Sequence, residues 1–291
     1  MAYSITQLQL THLLQRVYRK LGGTFLTTAT SGSTTTAADT KLVDVLGDGN
    51  ADDAYNGGTL IVVRDAGGAG AAPEGEFSRI SDYTASTFLF TLNSTLTAAI
   101  GAGDTFLFAL QDYPLTTMIE IVNDALSYLG DLPLLDTSIT TAANQTEYTL
   151  PVAVKRDELL FVEIQGQTTD ANDNQWEPVR HWRTVPAAAG SAGTLIIPQF
   201  AAGYTVRLTY VGRHPLVTAY ADPISENIHP DLAVASVVAH ALAWINVQQG
   251  ASEERVQREN KAWNDLDRAL AMHPIRVTRP PRMFALTTSE E

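Results

Sequence analysis

Apolar positions alternate between a helical and a strand period along the chain. Leu10, Leu13, Leu14, Val17 and Leu21 recur at helical spacing, which predicts an amphipathic helix over Thr6 to Leu21. Ser4 or Thr6 is placed to cap its start. Gly22-Gly23 stops it behind Arg19 and Lys20, where the helix dipole favours cations. Helical period then vanishes from 24 to 110. The run TATSGSTTTAADT (28–40) is small and polar and reads as a loop. Short β-rich runs follow at Lys41–Leu46, Thr59–Arg64, Phe77–Tyr83, Thr87–Leu92 and Asp104–Leu110, separated by turn clusters such as YNGG and GAGD. That spacing predicts an antiparallel sandwich or barrel.

Helix returns at Leu115–Leu129, where Leu115, Met118, Ile119, Val122, Leu126 and Leu129 form one stripe ended by Gly130. A second β block follows, with strands expected at Thr146–Leu150, Glu158–Gln165, Asn172–Trp182, Thr194–Pro198 and Tyr204–Val211. In the last of these Tyr204, Val206, Leu208 and Tyr210 share a face. Asp231–Gln249 is apolar nearly all round, through Leu232, Val234, Val237, Val238, Leu242, Trp244 and Ile245. Such a helix is buried inside a bundle or an assembly. Gly250 breaks it, and Ser252 restarts a helix to Met272 with Val256, Trp263, Leu266 and Leu270 on one face. The prolines beyond His273 exclude a regular helix, so the end of the chain reads as an extended arm.

These elements predict an α+β fold: an α-helical bundle of four main helices with two inserted antiparallel β-domains and an extended C-terminal arm. The segments are a first bundle helix (1–23), a β-sandwich or barrel insertion (24–110), a second helix (111–135), a second β insertion (136–216), a helix pair (217–272) and the arm (273–291).

Composition narrows the function. The 291 residues contain no cysteine, which excludes a disulfide framework, a thiolate metal site and a cysteine nucleophile. The net charge of −13 argues against a broad nucleic-acid grip, which needs a basic footprint. Ten acids against three bases lie in 24–110. The N-terminus has its cations after its apolar residues, the reverse of a signal peptide. The best membrane-span candidate, Leu232 to Val247, is short and carries His240 and Asn246, so a soluble protein is expected, with no membrane partner.

Candidate chemistry is sparse. Asp48, Asn50, Asp52 and Asp53 resemble a calcium loop but lack a glutamate at the twelfth position and flanking helices, so a polar turn is expected. Asp170, Asn172, Asp173 and Asn174 read as a hairpin loop, and DAGGAGAAPEG as a flexible loop tip without a phosphate-binding motif. The six histidines fall in different elements without metal-ligand spacing, and no nucleophile motif occurs. No catalytic residue, metal or cofactor is expected. The most distinctive segment is the tail, where Arg276, Arg279 and Arg282 interleave with Ile275, Val277, Pro280, Pro281, Met283 and Phe284. A basic, apolar and proline-stiffened arm suits docking on an acidic or grooved partner.

Three stretches carry a family resemblance. They are ITQLQLTHLLQRVYRKLGG, the β-module running from YNGGTLIVV through RISDY and TFLFTL to GDTF, and the helix pair AVASVVAHALAWINVQQG…ERVQRENKAWNDLDRALAMHP with its proline–arginine tail. Together they resemble the head-to-tail adaptor (connector) proteins of tailed bacteriophages, including the tail-tube or gatekeeper type. The resemblance implies a non-enzymatic virion protein, made in the host cytoplasm, that sits at the neck as a homo-oligomeric ring of about twelve copies. It implies a C-terminal arm on the portal protein, here Arg276, Arg279, Pro280, Pro281, Arg282, Met283 and Phe284. It implies a downstream neck or tail protein as second partner, and DNA passing through the lumen without sequence-specific binding. Leu232, Val234, Val238, Leu242, Trp244, Ile245 and Trp263 would supply bundle and subunit packing. The rival readings are a stopper, tail terminator or tail-tube component, which a mainly β fold would favour, a calcium- or carbohydrate-binding β module, and an acidic hydrolase.

Overall fold

The computed structural model describes residues 7–42, 51–68, 70–154, 158–165, 175–186, 192–250 and 252–277. The expectation of a helical bundle with inserted β-domains is overturned. Fourteen strands in three antiparallel sheets dominate the described residues, beside four helices. Two compact units divide the chain: 1–130 with 214–274, and 131–213 with 275–291.

The first unit carries a seven-stranded sheet and all four helices. The strands are β1 (Thr24–Thr28), β2 (Ser31–Gly32), β3 (Thr36–Ala38), β4 (Thr59–Arg64), β5 (Phe77–Thr84), β6 (Leu89–Leu92) and β7 (Thr105–Ala109). Their order is β1-β7-β4-β5-β6-β3-β2. The two end strands are joined by Ala29-Thr30 alone, so the sheet curls until its ends meet. Alternate residues of β4 to β7 point inward: Leu60, Val62, Ile80, Phe90, Leu92, Phe106 and Phe108 form one buried core with Tyr55 and Tyr83. Phe90 lies at its centre, with ring centroids 4.8 Å from Tyr83, 4.8 Å from Phe108, 5.7 Å from Tyr55 and 5.8 Å from Phe106.

Residues 28–40 are therefore not a loop. The signal is faint because β2 and β3 are very short and contribute only small side chains, Ala37 among them, to the core. Threonine suits such a pleated surface. Of the expected strand Lys41–Leu46, Lys41 and Leu42 form a turn and 43–46 lie outside the described residues.

The helices are α1 (Leu10–Leu21), α2 (Leu115–Tyr128), α3 (Pro230–Gln249) and α4 (Glu253–Met272). Each lies where its period places it. α1 begins at Leu10 and not at Thr6, with Gln9 in the cap position and no side-chain cap; Ser4 and Thr6 lie outside the described residues. Its first amides are satisfied across the fold: Leu10 N–H donates to Asp222 O at 2.9 Å and Thr11 N–H to Tyr220 O at 3.1 Å. Tyr18 fixes the other end. Its hydroxyl donates to Tyr113 O at 3.0 Å and lies 3.0 Å from Thr59 Oγ1, and burial pushes its pKa up. Twenty residues make α3 long and apolar enough to cross a membrane by length and composition, against the expectation that Leu232 to Val247 is too short, but it is largely buried and α1, α2 and α4 all pack on it.

The second unit holds the sheet β11-β10-β14-β8 and the sheet β12-β13-β9. Their strands are β8 (Leu132–Thr140), β9 (Glu147–Thr149), β10 (Leu159–Gln165), β11 (Trp176–Pro178), β12 (Arg183–Val185), β13 (Thr194–Ile196) and β14 (Thr205–Gly212). One core joins them, including Tyr148, Leu159, Val162, Ile164, Leu195, Val206, Leu208 and Tyr210. Val206, Leu208 and Tyr210 share the inward face as their alternation predicts. On the opposite face of β14 Arg207 pairs with Glu163 at 2.7 Å and covers Trp176 at 4.3 Å from the ring centroid. Neither β8 nor β12 is evident in the sequence. β8 is an edge strand, where Pro133 is tolerated and the inward–outward alternation is weak. The Asn172–Trp182 strand shrinks to β11, with 172–174 outside the described residues.

Candidate functional site

The helical layer of the first unit carries most of the residues expected to make contacts. The α2–α3 contact is close because its residues are small: Ser236 Oγ donates to Ala125 O at 2.9 Å, and Ala125, Ala233 and Ala239 are buried beside it. Leu232, Val234, Leu242 and Ile245 are buried, while Val238, Trp244 and Trp263 are half-buried. Trp263 meets His240 at 5.1 Å and Tyr128 at 5.9 Å between ring centroids, and His240 meets Tyr128 at 5.1 Å. This aromatic triplet joins α2, α3 and α4 at the surface, with Tyr128 57% exposed. The sequence signals it only through Trp263 on the apolar stripe. His240 Nδ1–H donates to Ser236 O at 2.8 Å, as in a satisfied helix histidine.

The last helix is the least enclosed element of the layer. Only Ala262 and Leu266 of α4 are buried, and Val256 and Met272 are exposed. Ser252 caps its start, accepting from Arg255 N–H at 3.3 Å. Arg255 donates to Gly250 O at 3.1 Å and Arg258 to Leu21 O, so two of its cations terminate α3 and α1. Between α3 and α4 runs a groove with Val238, Leu242 and Ala262 on its floor and Lys20, Arg258 and Lys261 on its rim. Arg276 is exposed; Arg279, Pro280, Pro281, Arg282, Met283 and Phe284 lie outside the described residues.

The acidic residues of 24–110 are partly structural. Asp104 is buried and accepts from Ala66 N–H at 2.8 Å and Gly101 N–H at 2.7 Å. Glu76 accepts from Thr97 N–H at 2.8 Å, and Asp39 from Lys41 N–H at 2.9 Å. In the calcium-like cluster Asp52 accepts from Ala85 N–H and Asp53 from Asn56 Nδ2, each at 2.7 Å, as a polar turn requires; Asp48 and Asn50 lie outside the described residues, as does the cluster at 170–174. In the glycine-rich loop Glu74 accepts from Gly70 N–H at 3.1 Å, which ties the tip down.

One histidine pairing is invisible in the sequence. His229, just before α3, and His273, just after α4, stack face to face with centroids 3.6 Å apart and planes 2° from parallel, beside Asp231. Histidines 44 residues apart converge because α3 and α4 form an antiparallel hairpin that brings their outer ends together.

The connecting segment before α3 holds a third histidine. His214 Nδ1–H donates to Pro215 O at 2.6 Å and Nε2 accepts from Ser225 N–H at 2.9 Å, so the ring is built neutral. Burial lowers its pKa below the usual 6.5, and burial with the nearby Arg16 lowers that of His12. A histidine held low contributes stability that is complete above pH 6.5 and is lost as pH falls towards the lowered value. The melting temperature is therefore expected to fall as pH drops below 6.5, with exchange protection at the Ser225 amide falling in step. His214→Asn should flatten part of that slope. An unchanged slope would assign the acid sensitivity elsewhere.

A profile of known families decides the class of the protein. The model of the SU10 adaptor protein family matches residues 90–283, about two thirds of the chain. The chain belongs to the SU10 adaptor family. It is thus a phage structural adaptor, a virion component that binds other capsid or tail proteins, from a family that is typically non-enzymatic. No curated protein matches the chain. The family region of this SU10 adaptor protein takes in α2, α3 and α4 and runs on to Met283, so it includes the three tail arginines.

Proposed function

We propose that this adaptor forms a homo-oligomeric, dodecameric ring at the phage neck, joining the capsid portal to the downstream neck or tail protein. The observation that carries the reading is that the family region extends past α4 through Arg276, Arg279, Pro280, Pro281, Arg282 and Met283. A segment kept within an adaptor family beyond its last helix fits a partner-docking arm better than a spare end. The flank of α4 that carries Val256, 38% exposed and on the same helical face as the half-buried Trp263, is the face we assign to the neighbouring subunit. A ring needs two different complementary patches on each copy. Surplus acids on the exposed β surface suit a lumen that repels DNA and lets it pass.

The β-rich fold favours a second reading within the same class, a stopper, terminator or tail-tube component, which would assemble with tail proteins and not with the portal. Native mass spectrometry of the full chain, alone and with the portal, separates them. Rings of about twelve copies, or a monomer that joins rings on the portal, support the adaptor reading. A chain that ignores the portal and assembles with tail proteins supports the second.

A further inference from the structure

We propose that His229, Asp231 and His273 form a binding site for a divalent transition-metal ion, Zn2+ by its ligand chemistry, that staples the open end of the α3–α4 hairpin. One ring nitrogen from each histidine and one carboxylate oxygen of Asp231 lie within 4.8 Å of one another. Tetrahedral zinc, with bonds of about 2.0–2.1 Å, spaces its ligands roughly 3.3 Å apart. The backbones on both sides are held in the helix ends, so side-chain rotation has to close the gap. His229 O accepts from Ala233 N–H at 3.0 Å in the first turn of α3, and His273 N–H donates to Ala269 O at 2.8 Å in the last turn of α4.

The donor set selects the metal. Two imidazoles and one carboxylate suit Zn2+, Co2+ or Ni2+, while Mg2+ and Ca2+ prefer oxygen. Three protein ligands leave a fourth position for water or a partner's side chain. Electrostatics do not oppose the ion. The N-terminus of α3 repels a cation, but the C-terminus of α4 attracts one, and Asp231 supplies a full negative charge. The rings must leave their stack to bind, since nitrogen lone pairs lie in the ring planes and parallel planes do not converge. The His229 ring, 44% exposed, and the Asp231 carboxylate, 73% exposed, have room to turn, and His273 is half-exposed. Chain continuity then makes the site an anchor for the segment that starts at Pro274, so metal binding fixes the point from which the tail departs.

The test is calorimetric titration of the tag-free full chain with Zn2+, with Co2+ absorption reporting the geometry. One ion per chain is expected, with tetrahedral Co2+ bands that Zn2+ abolishes. His273→Gln should weaken binding at least tenfold. His229→Asn should do the same while keeping an acceptor for the Asp231 amide, so the start of α3 stays capped. His240→Gln, which alters a histidine outside the site, should bind as the natural chain does. Zn2+ affinity in the first two variants equal to that of the natural chain, or no saturable Zn2+ binding by the natural chain, would overturn the assignment.

Discussion

Phe90→Ala is expected to cost about 3–5 kcal/mol, the largest loss from any single substitution proposed for this chain. Phe90 is fully buried and its ring touches those of Tyr55, Tyr83, Phe106 and Phe108, so truncation removes packing from four neighbours at once. A curled sheet cannot collapse onto the void without shifting the register of paired strands. β6, which carries Phe90, is bonded on one side to β5 and on the other to β3. Hydrogen exchange across 24–110 should show the loss as reduced protection of β4 to β7. The second unit, which has its own core, should keep its protection. A loss below about 1 kcal/mol would mean that the aromatic cluster is loosely packed.

Removal of 276–291 is expected to abolish assembly with the portal and leave the melting temperature nearly unchanged. The buried residues of α4, Ala262 and Leu266, lie well upstream of the cut, so the core of the first unit is intact. The arm concentrates three arginines and the apolar Met283 and Phe284, the residue types that dominate interface energetics. Losing several such anchors weakens binding by roughly a hundredfold or more. The measurement pairs portal binding by native mass spectrometry with calorimetric melting of the truncated chain. Undiminished portal binding would remove the docking role, and a large drop in melting temperature would make the segment part of the fold.

The sequence is most legible where the apolar period is long. All four helices, β4, β5, β10 and β14 follow from spacing, because each buries a stripe of large side chains. It is least legible where neighbours do the work. β2 and β3 contribute little bulk to the core, and β8 is an edge whose Leu135 is exposed. The misjudged balance between helix and sheet follows from these short strands, which carry too few large residues to announce themselves. The same holds for the site. Trp263 is on a stripe and was foreseeable as packing. The convergence of His229 with His273, and the carboxylates that clasp loop amides, depend on distant backbone that no local window contains.

The way α1 is finished has a consequence for how the chain is made. Its first amides bond to Tyr220 and Asp222, and Leu8 O accepts from Ile224 N–H at 2.7 Å. Its last turn is held by Arg258, which donates to Leu21 O. Those partners are made about 200 residues or more after the helix itself. At about 5–20 residues per second, the bonds at both ends of α1 and its packing on α3 wait roughly 10–40 s. The β-sheet from 24 to 109 is complete long before then. This helix therefore completes its docking long after it is made, and for that interval the face that α3 covers is a binding surface for whatever chaperone the host supplies.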